Sequence, residues 1–403
     1  MARDRHQTGD LFSAAEFPVA PLDDAEKLAC VRLIRSENVG PITFLELIKK
    51  FKSAKEALKA LPHLSGKFAR GKQIRVCSAG EAEAELERAQ KIGARPLFLM
   101  GPDYPSRLAQ IDAPPPLIYA LGQTEFLQRP SVAIVGARQA SAAGLKLARL
   151  FGQELGRSGL VVVSGLARGI DRVAHEASLE TGTVAVVAGG LDIIYPPDNT
   201  DIYQAISETG CLISEMPCGF QPRGKDFPRR NRLISGLSLG VLVVEAARRS
   251  GTLTTARMAG EQNRDLFAIP GNPLDPRAEG TNFLLKHRNA LLVTEPRDII
   301  EALSPMTGSG GREFREIPGA DGQTFNYRLS AECEPADPIR EPSENDRGLV
   351  LQALGPAPVS IDDIARATRL NIRQVRSILL ELDLAGLTER HGEQLVSLGQ
   401  AQD

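Results

Sequence analysis

Apolar residues recur at helical spacing through the first part of the chain. One stripe holds Leu28, Val31, Leu33 and Ile34, and a second holds Phe44, Leu47, Ile48 and Phe51. The segment between them, Asn38-Val39-Gly40-Pro41, predicts a turn with proline near the start of the next helix. We therefore expect a helical domain over residues 23–95, preceded by a disordered tail over residues 1–22, where such a pattern is absent.

This predicted helical hairpin has two interpretations. Two helices joined through Gly-Pro resemble a helix-hairpin-helix or SAM-like module, in which backbone N–H groups often face phosphates. Alternatively, the domain is a packing unit, and the basic run of Lys49, Lys50, Lys52 and Lys55 is a solvated face. The residues alone leave both interpretations open.

Beyond residue 96 the pattern changes to short apolar runs that alternate with amphipathic helical segments. Most runs are rich in Val and Ile on both faces, as strands of a covered parallel sheet are; they span residues 131–135, 160–163, 183–187, 211–213, 240–244 and 266–269. This alternation predicts an α/β fold over residues 96–303, with a Rossmann-like, doubly wound, mostly parallel sheet. Such sheets bind ligands at the carboxyl ends of their strands, so we expect function in the loops that follow.

The last part of the chain predicts a linker and a small third domain. Residues 304–345 contain several prolines and few periodic apolar positions, which indicates a flexible linker. Helical periodicity returns over residues 346–399, with a capping pattern at Ser360, a second helix from Ile372 and a hairpin around Gly392. These elements resemble a winged helix.

Charge and composition exclude several classes of protein. Lys plus Arg total 48 against 50 Asp plus Glu, so general basic coating of DNA is excluded and any nucleic-acid surface is a local patch. The five cysteines form no C-x-x-C pair, which favours reduced thiols over a zinc site or disulfides. The chain has no apolar run long enough for a membrane helix and no secretory signal, so we expect a cytoplasmic protein without membrane contact.

Two loops that follow predicted strands carry anion-binding patterns. In the first, Gly136 allows close backbone approach, Arg138 offers a phosphate clamp, and a helix begins near Ser141. In the second, Ser164, Gly165 and Arg168 predict a nest of hydrogen-bond donors. The first loop is not a full G-x-G-x-x-G motif, so dinucleotide binding is weakly supported.

Asp171 and His175 stand one helical turn apart after the second loop. Such a pair can act as a general base with its orienting partner. We favour a structural hydrogen bond between them, because such a pair is more often structural than catalytic. Two ligands alone make no metal site.

The sharpest charge anomaly is the run from Arg223 to Arg232. Phosphates attract Arg and Lys, and unstacked bases attract an aromatic face. The run therefore predicts a third phosphate-facing loop, with Lys225, Phe227, Arg229, Arg230 and Asn231 as candidate contacts. G-x-S-x-G, G-x-x-x-x-G-K-[ST] and H-E-x-x-H are all absent, so we expect no catalytic residue, no metal and no cofactor.

These ordered motifs resemble those of the DprA (Smf) family of DNA-processing proteins. The matching segments are Val135 to Arg138, Ser164 to Asp171, Gly190-Leu191-Asp192, Ser214-Glu215, Phe227 to Arg232 and Ser250-Gly251-Thr252. The likeness is dense over residues 100–300 and looser in the flanking domains. Departures from the family pattern are Ser141, Ala143, Met216 and Arg288-Asn289-Ala290.

The resemblance implies a non-enzymatic protein that protects incoming single-stranded DNA and loads the RecA recombinase onto it in natural transformation. It also implies a homodimer formed through the Rossmann-like domains. By matching motif, the strand contacts would be Gly136, Arg138, Ser164, Gly165, Lys225 and the stretch from Phe227 to Asn231.

Two other functions stay open. The scaffold also resembles nucleoside-monophosphate phosphoribohydrolases, although their Pro-Gly-Gly-x-Gly-Thr signature is absent and Ser250-Gly251-Thr252 is a poor substitute. The winged helix could instead regulate transcription on duplex DNA through a helix that carries Arg373 and Arg376. Because Glu381 and Asp383 share that helix, a protein-interaction role is at least as well supported.

Overall fold

The computed structural model describes residues 21–65, 74–307, 343–392 and 394–399. The predicted tail up to residue 20, most of the predicted linker and Cys333 lie outside the described residues. The N-terminal part is helical, as its periodicity predicts, with α1 at Asp24–Arg35, α2 at Pro41–Phe51, α3 at Ala54–Ser65 and α4 at Ala79–Lys91. Asp23 caps α1, and Ser78 with Glu81 forms a capping box at α4.

One large sheet forms the centre of the described chain. Its strands are β1 Arg95–Phe98, β2 Leu117–Gly122, β3 Ser131–Val135, β4 Val161–Ser164, β5 Thr183–Val186, β6 Cys211–Ser214, β7 Gly240–Val243, β8 Asp265–Ala268 and β9 Leu291–Leu292. All six predicted strands are present, each with ends within one residue of the prediction. The apolar pattern did not predict β1, β2 or β9.

The strand order is β1-β2-β6-β5-β4-β3-β7-β8-β9. In this order, all neighbouring strands from β6 across to β9 pair in parallel. Strand β2 pairs antiparallel with both β1 and β6. From β3 the chain builds β4, β5 and β6 on one side and then returns to place β7 on the other. The boundary between β3 and β7 is therefore the topological switch point, and the predicted mostly parallel α/β fold is confirmed.

Helices cover both faces of this sheet. They are α5 Ser106–Ala109, α6 Ala142–Arg157, α7 Ile170–Ser178, α8 Thr200–Thr209, α9 Asp226–Leu237, α10 Gly251–Glu261, α11 Glu279–Lys286 and α12 Pro296–Thr307. Alternate residues of β3 enter two cores: Val132 and Ile134 share one with α6, α7 and α12, and Ala133 and Val135 share the other with α9 and α10. A third core joins α1–α4 to α8 and the β2 end of the sheet.

The C-terminal part is a winged helix, as predicted. Its elements are α13 Glu344–Ala353, β10 Val359–Ser360, α14 Ile361–Thr368, α15 Ile372–Leu384, β11 Thr388–Arg390 and β12 Leu395–Leu398. The side chain of Ser360 accepts a hydrogen bond from the Asp363 N–H, which starts α14 where the capping pattern predicts. None of the described helices is long and apolar enough to cross a bilayer.

Candidate nucleic-acid interface

A cavity of about 1070 Å³ opens at the switch point of the sheet. The loop after β3, the loop after β4, the start of α9 and the start of α10 all contribute to its walls. The structure therefore brings the three predicted anion-binding segments together. Six of the ten predicted strand-contacting residues line the cavity: Gly136, Arg138, Arg168, Phe227, Arg230 and Asn231.

In the first loop, Arg138 is exposed and its guanidinium lies 5.6 Å from the centroid of the Phe227 ring. The reason for glycine at position 136 differs from the expectation. A Cβ atom there would lie 2.6 Å from Cγ1 of Ile170, so the packing of α7 requires glycine. The Gly136 carbonyl accepts a hydrogen bond from the Thr252 hydroxyl at 3.1 Å, which ties this loop to the start of α10.

In the second loop, the residues divide into interior and surface positions. Ser164 is fully buried, and its hydroxyl donates to the Ile134 carbonyl at 2.6 Å. The Gly165 N–H donates to Asp171 at 3.2 Å. Both groups are occupied inside the protein, which corrects the expectation that they face a ligand. Arg168 is exposed at the cavity wall, where it lies 3.5 Å from the exposed Asp198 carboxylate.

The predicted hydrogen bond between Asp171 and His175 is absent from the described structure. The Asp171 carboxylate accepts from the N–H groups of Gly165 and Ala167 instead. His175 Nδ1 lies 2.7 Å from the Thr183 hydroxyl. Burial, together with the nearby Arg230 charge, lowers the pKa of His175 to about 3, so the imidazole is neutral near pH 7. Both side chains serve the packing of α7.

The third predicted loop is mostly a helix, which is a correction to the prediction. Helix α9 starts at Asp226, so Phe227 through Arg232 are helical. Pro228 is compatible with this because it lies in the first turn, where a backbone N–H has no helical partner. Phe227, Arg230 and Asn231 share the helix face toward the cavity, because residues three and four positions apart are neighbours on a helix.

The arginines of α9 therefore have different environments. Arg229 donates to Glu215 at 2.7 Å, and Arg232 donates to the same carboxylate at 2.7 Å. Burial by itself would raise the pKa of Glu215, but these two guanidinium groups hold it below its usual value. Arg229 keeps 43% of its side chain exposed but lies outside the cavity wall.

Arg230 is buried, with 7% of its surface exposed. Its Nη1 donates to the carbonyls of Gly165 and Val186. A Cβ atom at position 165 would collide with this guanidinium, so glycine at this position leaves room for the observed placement of Arg230. Burial lowers the pKa of Arg230 to about 10, which leaves it charged at neutral pH. Arg230 thus contributes positive charge to the cavity while it holds the second loop, and direct contact with a strand is not its main role.

The sequence interpretation underrated four other residues that line the cavity. Tyr195 is half exposed, and its ring centroid lies 5.5 Å from that of Phe227. Thr252, Thr254 and Arg277 complete the wall beside the start of α10. Their positions in the segments that follow strands β5, β7 and β8 were the available signal, but each segment alone has the composition of an ordinary turn.

The cavity is strongly cationic. Its described walls carry four arginines and one aspartate. Lys225 is exposed beside it, next to the lining residue Gly224. A chain with a net charge of −2 has therefore concentrated positive charge at one crevice, together with two aromatic rings. Among the described residues, no group of three His, Cys, Asp or Glu side chains is placed to hold a metal ion.

The fold and this crevice define a class of protein: a Rossmann-like α/β protein with a cationic, aromatic-lined site at the switch point, flanked by two small helical domains. The family model described as DNA recombination-mediator protein A matches residues 95–304. The chain belongs to this DNA-processing family, which confirms the resemblance seen in the sequence. Models of a DprA-like N-terminal HHH domain and a DprA winged helix domain match residues 24–88 and 334–394.

Individual relatives agree with this assignment. The chain is 34% identical to protein Smf of Synechocystis sp., over 88% of this chain and 94% of the relative. It is 43% identical to DNA processing protein DprA of Streptococcus pneumoniae, over 49% of this chain and 70% of the relative.

Two solved structures are also similar. The X-ray structure of DprA from Streptococcus pneumoniae has a TM-score of 0.58 and 30% identity, and the match covers 69% of this chain and 98% of that one. DNA processing protein A from Helicobacter pylori, whose structure concerns its single-stranded DNA binding mode, has a TM-score of 0.50 and 30% identity, over 53% of this chain and 97% of that one.

Proposed function

We propose that this protein binds single-stranded DNA in the switch-point cavity, without catalysis, as a recombination mediator. One observation carries the proposal: the cavity combines four arginines with two adjacent aromatic rings. Cationic side chains follow the backbone of a single strand, and aromatic rings stack its unpaired bases. The single-stranded DNA binding mode described for the Helicobacter pylori relative supports the same ligand.

Each group in the cavity then has a role. Arg138, Arg168 and the exposed Lys225 hold phosphates. Phe227 stacks a base, and Tyr195 extends that stacking surface. Asn231, whose amide lies 3.4 Å from the Gly251 carbonyl, offers a polar contact between the starts of α9 and α10.

Other predicted residues act by shaping the site. Gly136 and Gly165 allow the close packing of Ile170 and Arg230. Ser164 and Arg230 fix the second loop through backbone carbonyls. Arg229 joins Arg232 on the buried Glu215 carboxylate and so anchors α9.

Fluorescence anisotropy of a labelled oligo-dT tests the proposal on the full chain. Phe227→Ala is expected to weaken binding by about 5- to 150-fold, the equivalent of roughly 1–3 kcal/mol per stacked base. Arg157→Ala is the matched control, because Arg157 is two thirds exposed at the end of α6, outside the cavity wall. If Phe227→Ala and Arg157→Ala bind oligo-dT with equal affinity, the cavity is not the site of strand binding.

We also propose that the bound strand is handed to the RecA recombinase during natural transformation, in the cytoplasm. Membership of a recombination-mediator family supports this role. The test is RecA filament formation on DNA already covered by a single-strand-binding protein. The wild-type chain is expected to accelerate it, and Phe227→Ala is expected to lose the acceleration. No acceleration by the wild-type chain would contradict RecA loading while leaving strand binding intact.

A homodimer through the Rossmann-like domain is part of the proposal. Strand β9 is the edge of the sheet, and Leu291 and Leu292 on it are 55% and 58% exposed. Exposed apolar side chains at an unpaired edge favour association with a second chain. Sedimentation should show a dimer that Leu292→Glu converts to a monomer, whereas Leu349→Glu in the winged helix should not. A wild-type monomer would exclude this dimer.

The enzymatic alternative has a direct test. Helix α10 begins at Gly251, so Ser250-Gly251-Thr252 does form a helix start at the cavity, as a phosphate site requires. Incubation with AMP is expected to release no free adenine. Adenine release that Thr252→Ala abolishes would instead support N-glycosidic bond cleavage.

A further inference from the structure

Helix α15 packs against the N-terminal helical domain. Leu380 and Leu384 are buried in the core formed by α1–α4, with 3% and 0% of their surface exposed. The winged helix has a separate core of its own, which includes Ile378 and Leu382 of the same helix. Helix α15 therefore has two apolar faces, one inside its own domain and one inside another domain.

This helix is the second of the helix–turn–helix, the position that reads the major groove in DNA-binding winged helices. A recognition helix leaves one face free for DNA. In α15, every residue from Ile378 to Leu384 is buried, so the C-terminal half of the helix has no face left for a ligand.

Polar contacts fix the same contact surface. The Asn38 side-chain amide donates to the Leu384 carbonyl at 3.0 Å, and Lys50 donates to the Ser377 hydroxyl at 3.4 Å. Arg390 bridges the two domains: its Nη2 donates to Glu46 of α2 at 3.2 Å and its Nε donates to Asp383 at 2.7 Å.

The helical hairpin of the N-terminal domain is covered from the same side. Its turn contains Asn38, and a Cβ atom at Gly386 would lie 3.2 Å from the Asn38 side-chain nitrogen. Two of its backbone N–H groups already donate inside the domain, Glu37 to the Arg75 carbonyl and Val39 to the Ser36 carbonyl. The contact thus covers the C-terminal half of α15 and the turn of the helical hairpin.

We propose that α15 is a docking helix rather than a DNA-recognition helix, and that its partner is the α2–α3 surface of the same chain. Burial of two leucines that the winged helix does not need for its own core carries this assignment. While the contact is formed, neither small domain reads duplex DNA through these elements. The proposal is independent of strand binding in the switch-point cavity.

Pulsed electron resonance on the full chain tests the contact. Spin labels at Lys59→Cys and Arg366→Cys report on the two domains, since both native side chains are mostly exposed at 73% and 77%. Cys333→Ser removes one background thiol, and the four cysteines of the described structure are buried. At about pH 5, below the raised pKa of Glu46, we expect a single narrow distance distribution. A broad distribution for this protein at that pH would overturn the proposal.

Variants from each side of the contact sharpen the test. Leu380→Glu should broaden the distribution, whereas Ile372→Glu, at an exposed position of the same helix, should not. Glu46→Lys places a second cation opposite Arg390 and leaves the winged-helix sequence unchanged. This variant should also broaden the distance distribution. An unchanged distribution in Glu46→Lys, or in a folded Leu380→Glu protein, would overturn the proposal.

Duplex binding gives the second readout. Arg373 is exposed near the start of α15, where a recognition helix contacts base edges. Loss of such a contact costs roughly 5- to 150-fold in affinity. For the full chain, Arg373→Glu is expected to change the duplex dissociation constant by less than about threefold. A larger loss would show that α15 reads duplex DNA and would overturn the docking role.

Discussion

The Arg138 guanidinium lies over the ring of Phe227, 5.6 Å from its centroid. Because the ring centroid of Tyr195 lies 5.5 Å from that of Phe227, a cation and two aromatic rings form one cluster in the cavity wall. The first loop and the start of α9 are therefore coupled through side chains. A ligand that places a phosphate on Arg138 brings its neighbouring base toward Phe227.

Arg138→Ala should reduce the salt dependence of strand binding. Each phosphate contact with a single strand contributes about −0.7 to the slope of log K against log salt concentration. We expect the slope for oligo-dT to become shallower by about that amount, measured by anisotropy over a series of NaCl concentrations. A weaker affinity with an unchanged slope would mean that Arg138 supports Phe227 rather than holding a phosphate.

Tyr195→Ala should weaken strand binding, and Tyr195→Phe should not. Stacking depends on the ring, and a lost base stack costs roughly 1–3 kcal/mol. Because Tyr195 lies at the edge of the cluster and is half exposed, we expect the lower end of that range, near fivefold to tenfold in the dissociation constant. If Tyr195→Phe binds as weakly as Tyr195→Ala, the hydroxyl rather than the ring makes the contact.

The sequence predicted the fold well where a pattern of apolar residues is compatible with only one kind of secondary structure. The six Val- and Ile-rich runs are strands because a covered parallel sheet buries both of their faces. Strand β1 escaped this criterion because it begins with the exposed Arg95 and contains Pro96, which is tolerated since β1 is at the edge of the sheet. Strand β9, with two exposed leucines, carries no pattern at all.

The site was harder to predict because identical residue types take different roles on a helix. Arg229, Arg230 and Arg232 are equivalent in a basic run, but the helical period directs Arg230 into the interior and the other two toward Glu215. Asp171 and His175 have the right spacing for a pair, yet each finds a nearer partner in the strand or loop beside it. Such choices depend on tertiary neighbours that spacing along the chain does not reveal.

Glu215→Ala should strongly destabilise the Rossmann-like domain. The carboxylate is buried between Arg229 and Arg232, and its removal leaves the largely buried Arg232 guanidinium without its carboxylate partner. Breaking a buried ion pair in this way costs about 3 kcal/mol or more. Asp201→Ala, which removes an exposed carboxylate from Arg172, should lower the unfolding free energy far less in the same urea unfolding experiment. Similar losses for the two variants would contradict the structural role of Glu215.

His175 should make the domain less stable in mild acid. Its pKa is about 3 in the folded protein, because burial disfavours the charged imidazole, against an ordinary value of 6.5. Between these values the unfolded chain binds a proton that the folded chain does not, so stability falls as pH falls from 6.5 toward 3. Unfolding free energies in urea should show a steeper pH dependence for the wild type than for His175→Asn, by up to about 1.4 kcal/mol per pH unit. His287→Asn, at an exposed histidine, should retain the wild-type slope.

Glu46 should make the docked arrangement of the winged helix depend on pH. Burial raises the pKa of Glu46 to about 7, against an ordinary value of 4.5, and the nearby Asp383 carboxylate adds to the increase. The positive charges of Arg390, Arg376 and Lys49 oppose it. Burial likewise raises the pKa of Asp383. With Glu46 solvated after undocking, the docked state binds the extra proton between pH 4.5 and 7, so docking strengthens as pH falls through this window and weakens as it rises.

The spin-label distance distribution of the full chain should therefore broaden as pH rises from 5 toward 8, because docking is linked to the uptake of about one proton. The distribution of Glu46→Gln should stay narrow throughout this range. Glu389→Gln, at an exposed position of β11, controls for the loss of a carboxylate and should behave as the wild type does. If Glu46→Gln and the wild type broaden together, another group governs the contact. If the wild type narrows as pH rises, the ion pair between Glu46 and Arg390 outweighs the burial of the carboxylate, and the charged form is the one that docking favours.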